Sequence, residues 1–262
     1  MQARGRLGVV LAAIGAASVV VTVAVAAANP VVAALQKTGL AHSSVGRMSS
    51  VTNVPGVGKV TMSGKVEEQG KTAHLLVNVA SGSVRYAMEA TVLVESGDLV
   101  LYLRSPILQP QLPAGKKWVR IDLQKEGAKL GFDFSALLGA PTSQSTQIVD
   151  LGVVKTTSLG RATVAGRSTS HYRVRVDYDL AARRAPALRP TIAKLEQLAG
   201  VHSLKLTQDV WVGSDGRLRQ LRYATPALTN GIHATTTQTF TLLAYDVPVK
   251  ISAPPASLVY SP

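Results

Sequence analysis

Apolar and polar positions alternate along most of this chain. From residue 58, Val60, Met62, Gly64 and Val66 share one parity, and Thr61, Ser63, Lys65 and Glu67 share the other. That period of two predicts a strand with one buried face. Gln69-Gly70-Lys71 makes a turn, after which Leu75, Val77 and Val79 alternate with His74, Leu76 and Asn78. Ser81-Gly82-Ser83 turns again, and Tyr86, Met88, Ala90, Val92 and Val94 fall on one face. Glu95-Ser96-Gly97-Asp98 is a hairpin signal, and Leu99, Leu101 and Leu103 return on one face. Ser105-Pro106 stops that strand. Val119, Ile121 and Leu123 then stand opposite Trp118, Arg120 and Asp122. The pattern predicts an antiparallel meander with one apolar face.

The second half repeats the outline without a residue-level repeat. Residues 160–179 read as strand with a tight turn near Gly166, and Val174 and Val176 share a parity. Residues 206–212 and 217–223 flank the turn Gly213-Ser214-Asp215-Gly216, and residues 234–245 form a long Thr-rich strand. Helical spacing is confined to short stretches. Val31, Ala34, Leu35 and Thr38 form a modest stripe ended by Gly39, followed by a polar linker to residue 57. Asp133 caps a short helix to Leu138, and residues 144–158 are a weaker helical stretch. Pro186 and Pro190 interrupt residues 180–199. From Thr191 a helix carries Ile192, Leu195 and Leu198 on one side and ends at Gly200. The tail, residues 254–262, opens with Pro254-Pro255 and reads as extended.

The first residues bear on where this sheet works. Arg4 and Arg6 precede an uncharged run over residues 7–28, which ends in three alanines before Asn29-Pro30. A basic start, an apolar run and small residues at its end read as a secretory signal. As a helix the run would rise about 33 Å, enough to span a bilayer as a retained anchor. Both readings, cleavage near Ala28 and anchoring, place residues 29–262 outside the cytoplasm, because the two arginines stay inside. The domain organisation predicted is therefore a signal or anchor at 1–28, a helix and linker at 29–57, one domain at 58–253, and a tail at 254–262.

Composition narrows the chemistry. The chain has no cysteine, which removes disulfides, thiol nucleophiles, thiolate metal sites and an N-terminal lipidated cysteine. Net charge is +13, and +11 without Arg4 and Arg6, which favours anionic surfaces such as phospholipid head groups. Arg183, Arg184 and Arg189 are the densest basic cluster, a membrane-facing or partner-facing patch. Nucleic acid is not expected as a partner, since aromatic residues are only 5% of the chain and basic ones are scattered.

Catalytic patterns do not emerge. His42, His74, His171, His202 and His233 lie far apart in sequence, with no H-E-x-x-H. There is no G-x-S-x-G elbow, no S-x-x-K set and no phosphate-binding glycine loop. Glu67-Glu68, the only adjacent acidic pair, precedes a glycine turn. No metal or cofactor is expected, and the chain reads as a non-enzyme. A hydrolase with a dispersed site is the reading that a single essential His or Ser would restore. Three Phe and two Trp leave an aliphatic interior. Such a lining suits acyl chains, which need area burial and little directional bonding.

Four blocks carry a resemblance. They are VLVESGDLVLYLRSP at 92–106, GKKWVRIDL at 115–123, Val164-Ala165-Gly166 with Thr169, Tyr172 and residues 174–177, and Asp209-Val210-Trp211-Val212 with residues 215–219. In order and spacing they resemble the actinobacterial envelope lipoproteins of the LppX/LprG type, whose fold is similar to the LolA/LolB carriers. The match covers most of residues 58–223. The resemblance implies an α+β fold, a strongly curved antiparallel half-barrel with helices covering its concave face. It also implies a space able to hold acyl chains of lipid or glycolipid in the cell envelope. The chain departs from the family in lacking a lipobox cysteine. The expected lining is Met62, Val77, Met88, Val92, Val94, Leu101, Val119, Ile121, Val174 and Val176. The alternative on the same fold is a partner-binding envelope sensor or scaffold.

Overall fold

The computed structural model describes residues 29–56, 58–130, 144–229 and 232–262. The segment 1–28 and the helix expected at 133–138 lie outside the described residues. Strands β1 (Ser43–Val54), β2 (Gly58–Gln69), β3 (Thr72–Ser81), β4 (Val84–Glu95), β5 (Asp98–Arg104) and β6 (Trp118–Asp122) form the first meander. The second comprises β7 (Val153–Val164), β8 (Arg167–Asp177), β9 (Lys205–Gly213), β10 (Leu218–Thr229) and β11 (Ile232–Tyr245), and a short β12 (Val259–Tyr260) ends the chain. Together they make one twelve-stranded curled sheet in the order β12-β6-β5-β4-β3-β2-β1-β11-β10-β9-β8-β7. All pairs are antiparallel except β12, which runs parallel to β6. Helices α1 (Pro30–Gly39), α2 (Leu123–Leu130), α3 (Gln144–Gly152), α4 (Tyr178–Arg184) and α5 (Arg189–Ala199) accompany it.

Local chemistry accounts for the elements. Ser96 and Gly97 both take positive φ, 52° and 94°, which matches the tight β4–β5 hairpin. Gly64 is required by close approach, because a Cβ there would sit 2.1 Å from the Leu76 carbonyl oxygen on β3. Helix α1 is capped by Asn29, whose side chain accepts from the Val31 N–H, and Pro30 occupies the first turn. Asp177 caps α4 in the same way through the Leu180 N–H.

Four expectations are corrected. The linker read after residue 39 is strand β1, which joins β2 to β11 at the centre of the sheet. Its inward positions include Ser44, Gly46 and Ser50, so small residues mask the alternation. The helical stretch read at 144–158 ends at Gly152, where the β-branched run Val153-Val154 and Thr156-Thr157 starts β7. Helix α5 begins two residues earlier than Thr191, because proline is tolerated in a first helical turn. The tail is not free: a 3₁₀ turn at Ala256–Leu258 leads into β12 on the edge of β6. The sheet therefore extends past both expected limits, residues 58 and 253.

The sheet has two distinct ends. Asn29 Nδ2 donates to Thr156 Oγ1 at 2.8 Å near the start of β7, and at the other end of α1 Thr38 Oγ1 accepts from the Leu218 N–H at 2.8 Å. Helix α1 thus runs along the strands. The strand register carries the Asn29 end across to the β3–β4 turn at Gly82-Ser83. We call this the near end. Helices α4 and α5 leave β8 and rejoin β9 there. The β2–β3, β4–β5, β7–β8 and β9–β10 turns occupy the far end.

Candidate functional site

The inner face of β1–β6 forms one aliphatic cluster. Met48, Val66, Leu75, Val77, Val79, Met88 and Ala90 join Val92, Leu99, Leu101, Leu103, Val119 and Ile121 in it. These residues alternate along each strand and meet because the registers align: Met88 opposes Val77, Leu101 opposes Val92, and Ile121 opposes Leu101. Burial is graded along the strands. On β4, Val84 at the near end is 58% exposed, Tyr86 is half-buried, and Met88 is 4% exposed. Val60, Met62 and Leu112 are likewise half-buried against the cluster. A rim of partly exposed apolar side chains at the near end therefore leads to a sealed aliphatic interior.

The expected lining residues are distributed as follows. Val77, Met88, Val92, Leu101, Val119 and Ile121 lie together in this cluster, with Met62 at its rim. Val94 shares their parity but is 41% exposed beside the β4–β5 turn, where the strand leaves the core. Val174 and Val176 belong to a second cluster under α1 and α3, with Val31, Ala34, Leu35 and Val149. Phe240 on β11 touches both clusters. The expected list omits Met48, Leu75, Val79, Leu99 and Leu103. Their inward parity was the available signal, except at Met48, whose strand was read as linker.

Polar groups within the sheet are few and mostly satisfied. The Tyr223 hydroxyl donates to Gln238 Oε1 at 3.1 Å. Burial pushes the Tyr178 phenol up to about 12 and raises that of Tyr223 further. Glu68 is the one carboxylate on the inner parity of β2. Burial raises its pKa, opposed by a hydrogen bond from Ser44 Oγ at 3.0 Å.

The outer face holds charge networks of ordinary structural kind. His74 Nε2 lies 3.0 Å from Glu89 and its Nδ1 lies 3.5 Å from Glu67, while Arg104 also reaches Glu89. His171 stacks on Trp211 with centroids 4.2 Å apart, and Asp209 meets Arg173 at 2.8 Å. The Tyr102 hydroxyl and Arg120 converge on Glu95 and hold its carboxyl below the usual range. Among the described residues no three metal-type side chains come together, and no described helix is long and apolar enough to cross a membrane.

No family model matches the chain, and no curated protein matches it in sequence. Solved structures do. LprF from Mycobacterium bovis is 16% identical with a TM-score of 0.47, over 86% of this chain and 95% of that one. The Mycobacterium tuberculosis lipoprotein LppX is 14% identical with a TM-score of 0.43, over 85% and 96%. A LolA superfamily protein from Nitrosomonas europaea is 12% identical with a TM-score of 0.33, over 86% and 96%.

Proposed function

We propose that the protein is a non-enzymatic, extracytoplasmic carrier that binds acyl chains of a lipid or glycolipid against the inner face of β1–β6. The observation that supports this most is the graded aliphatic face. Val84, Tyr86, Met62 and Val60 offer a partly exposed entrance, and Met88, Val92 and Leu101 continue it inward without a charged group. Such a surface gains by area burial, at about 25 cal/mol per Å², and asks no fixed geometry of its ligand. Unbranched methionines at positions 48, 62 and 88 adapt to chains of differing shape. Binding is passive: the acyl chain enters at the near end and the head group stays at the rim.

Native mass spectrometry of the protein purified from an envelope fraction, with solvent extraction of the same sample, tests the reading. A bound mass released as acylated lipid is expected. A protein that remains empty after incubation with envelope lipids overturns it and favours the partner-binding module.

A further inference from the structure

The two ends of the sheet differ in how their charges are used. At the far end the acids gather: Glu67, Glu95, Asp98, Asp122, Asp215 and Asp246. Most basic residues there are taken up by them, while Lys37, Lys71 and Arg167 are exposed and meet no carboxylate among the described residues. Arg120 meets Glu95, Lys125 meets Asp122, Arg217 meets Asp246 and Arg219 meets Asp215, all within 3.2 Å. At the near end the relation is reversed. Asp177 caps α4, Asp179 accepts from Ser203 at 2.6 Å, Glu196 accepts from the Leu204 N–H, and Asp150 on α3 is attracted to Arg184. Lys59, Arg85, Lys155, Arg183 and Arg189 are exposed and meet no carboxylate among the described residues. Arg184 ties this patch to α3, donating to the Leu151 carbonyl at that helix's end at 2.8 Å.

A second, independent observation concerns where the chain leaves the domain. Asn29 is bonded to Thr156 at this same end, and the uncharged run of residues 7–28 abuts it with no intervening spacer. The apolar rim of the β1–β6 interior, Val60, Met62, Val84 and Tyr86, opens there too.

We propose that the near end is a membrane-docking surface, on which Lys155, Arg183, Arg189, Lys59 and Arg85 seat anionic phospholipid head groups around the apolar rim. Each juxtamembrane cation strengthens such attachment, and the effect fades within a Debye length. The near end therefore lies against the bilayer and the far end, where most cations are paired, points away. This holds whether or not the interior takes a lipid. The extraction experiment above and the one below fail independently.

The absence of cysteine permits clean single-site labelling of the full chain. Ala187→Cys, exposed between Arg184 and Arg189, and Ser214→Cys, exposed in a far-end turn, each receive a fluorophore. The labelled proteins are mixed with vesicles of phosphatidylcholine alone or with roughly 30% phosphatidylglycerol, both carrying a head-group quencher. Quenching at 187 is expected with the anionic vesicles, at least about twofold above that at 214, and it falls in about 0.5 M salt. In the triple variant K155E/R183E/R189E, checked for folding by circular dichroism, it drops by at least about half. Equal quenching at the two sites, equal quenching in both vesicle types, or no association with the anionic vesicles overturns the proposal. The lipid and salt comparisons decide the matter even if the triple variant does not fold.

Discussion

The two halves of the sheet present inner faces of the same aliphatic chemistry, yet they are closed in different ways. On β8–β10 the face meets helices. Val31, Ala34 and Leu35 of α1 and Val149 of α3 share one cluster with Val174, Val176, Val210 and Val212. On β1–β6 the described cluster is built by the strands themselves, with Leu108 and Leu123 as its buried members from beyond them and Leu112 half-buried against it. Identical side chains thus do two jobs. One face is covered by the protein's own N-terminal helix, and the other grades from exposed to buried along its strands. A strip of valines and leucines in sequence says that a face is buried; what buries it is decided by topology.

The sharpest test of that difference places one charge in each half. Val174→Asp sets an unpaired carboxylate at a site with 0% exposure, and we expect a loss above about 4 kcal/mol, read as an unfolded spectrum at 25 °C. Met62→Asp sits at the half-buried rim and is expected to cost less than about 1.5 kcal/mol while sharply reducing the extractable acyl load. Equal destabilisation by the two would erase the distinction. Next in size, Leu35→Ala opens a cavity in the helix-packed half, expected at about 2–5 kcal/mol in denaturant titration. The cost should be the same before and after delipidation. A lipid-dependent cost would mean that α1 itself lines the binding space. Smaller again is Thr38→Val. The Thr38 hydroxyl accepts from the buried Leu218 N–H and donates to the Ala34 carbonyl at 2.7 Å. Its removal leaves that N–H unsatisfied, for about 1–3 kcal/mol, measured as a fall in Tm.

What was legible in sequence follows the same division. The β4–β5 hairpin declared itself through Ser96-Gly97 and strict alternation, and the register placed Val92 opposite Leu101. Strand β1 was hidden because Ser44, Gly46 and Ser50 point inward, so the period of two carried no hydrophobic contrast. The first half of edge strand β7 is hidden for another reason. Its register slips at Val154 and Leu159, which leaves both residues exposed and breaks the alternation. Those bulges, with Lys155 and Arg161, also protect the open edge from further pairing. Parity in the sequence marks inward positions but not which of them share a cluster. No local pattern reveals that residues 31 and 174, more than a hundred positions apart, share a core while 174 and 92 do not.

The inner and outer faces also differ in how a carboxylate responds to pH, and this is the smallest effect we predict. Glu95, on the outer face, is held low by the Tyr102 hydroxyl and Arg120. Its contribution is present above the unfolded value near 4.5 and is lost as pH falls through the lower folded value. Glu68, on the inner face, is raised by burial. Its sign is opposite: the favourable protonated state holds below about 4.5, and stability declines as pH rises through the raised folded value. Glu95→Gln should therefore lower stability at pH 7 by less than about 1 kcal/mol, since the pair with Arg120 is one-third exposed on each side. Glu68→Gln should raise stability at pH 7 and leave it unchanged at pH 4. Chemical denaturation at the two pH values, on both variants, measures the contrast directly. If both variants shift stability in the same direction at pH 7, Glu68 is solvated in the folded protein, and the inner parity of β2 opens to water at the far end as well as the near one.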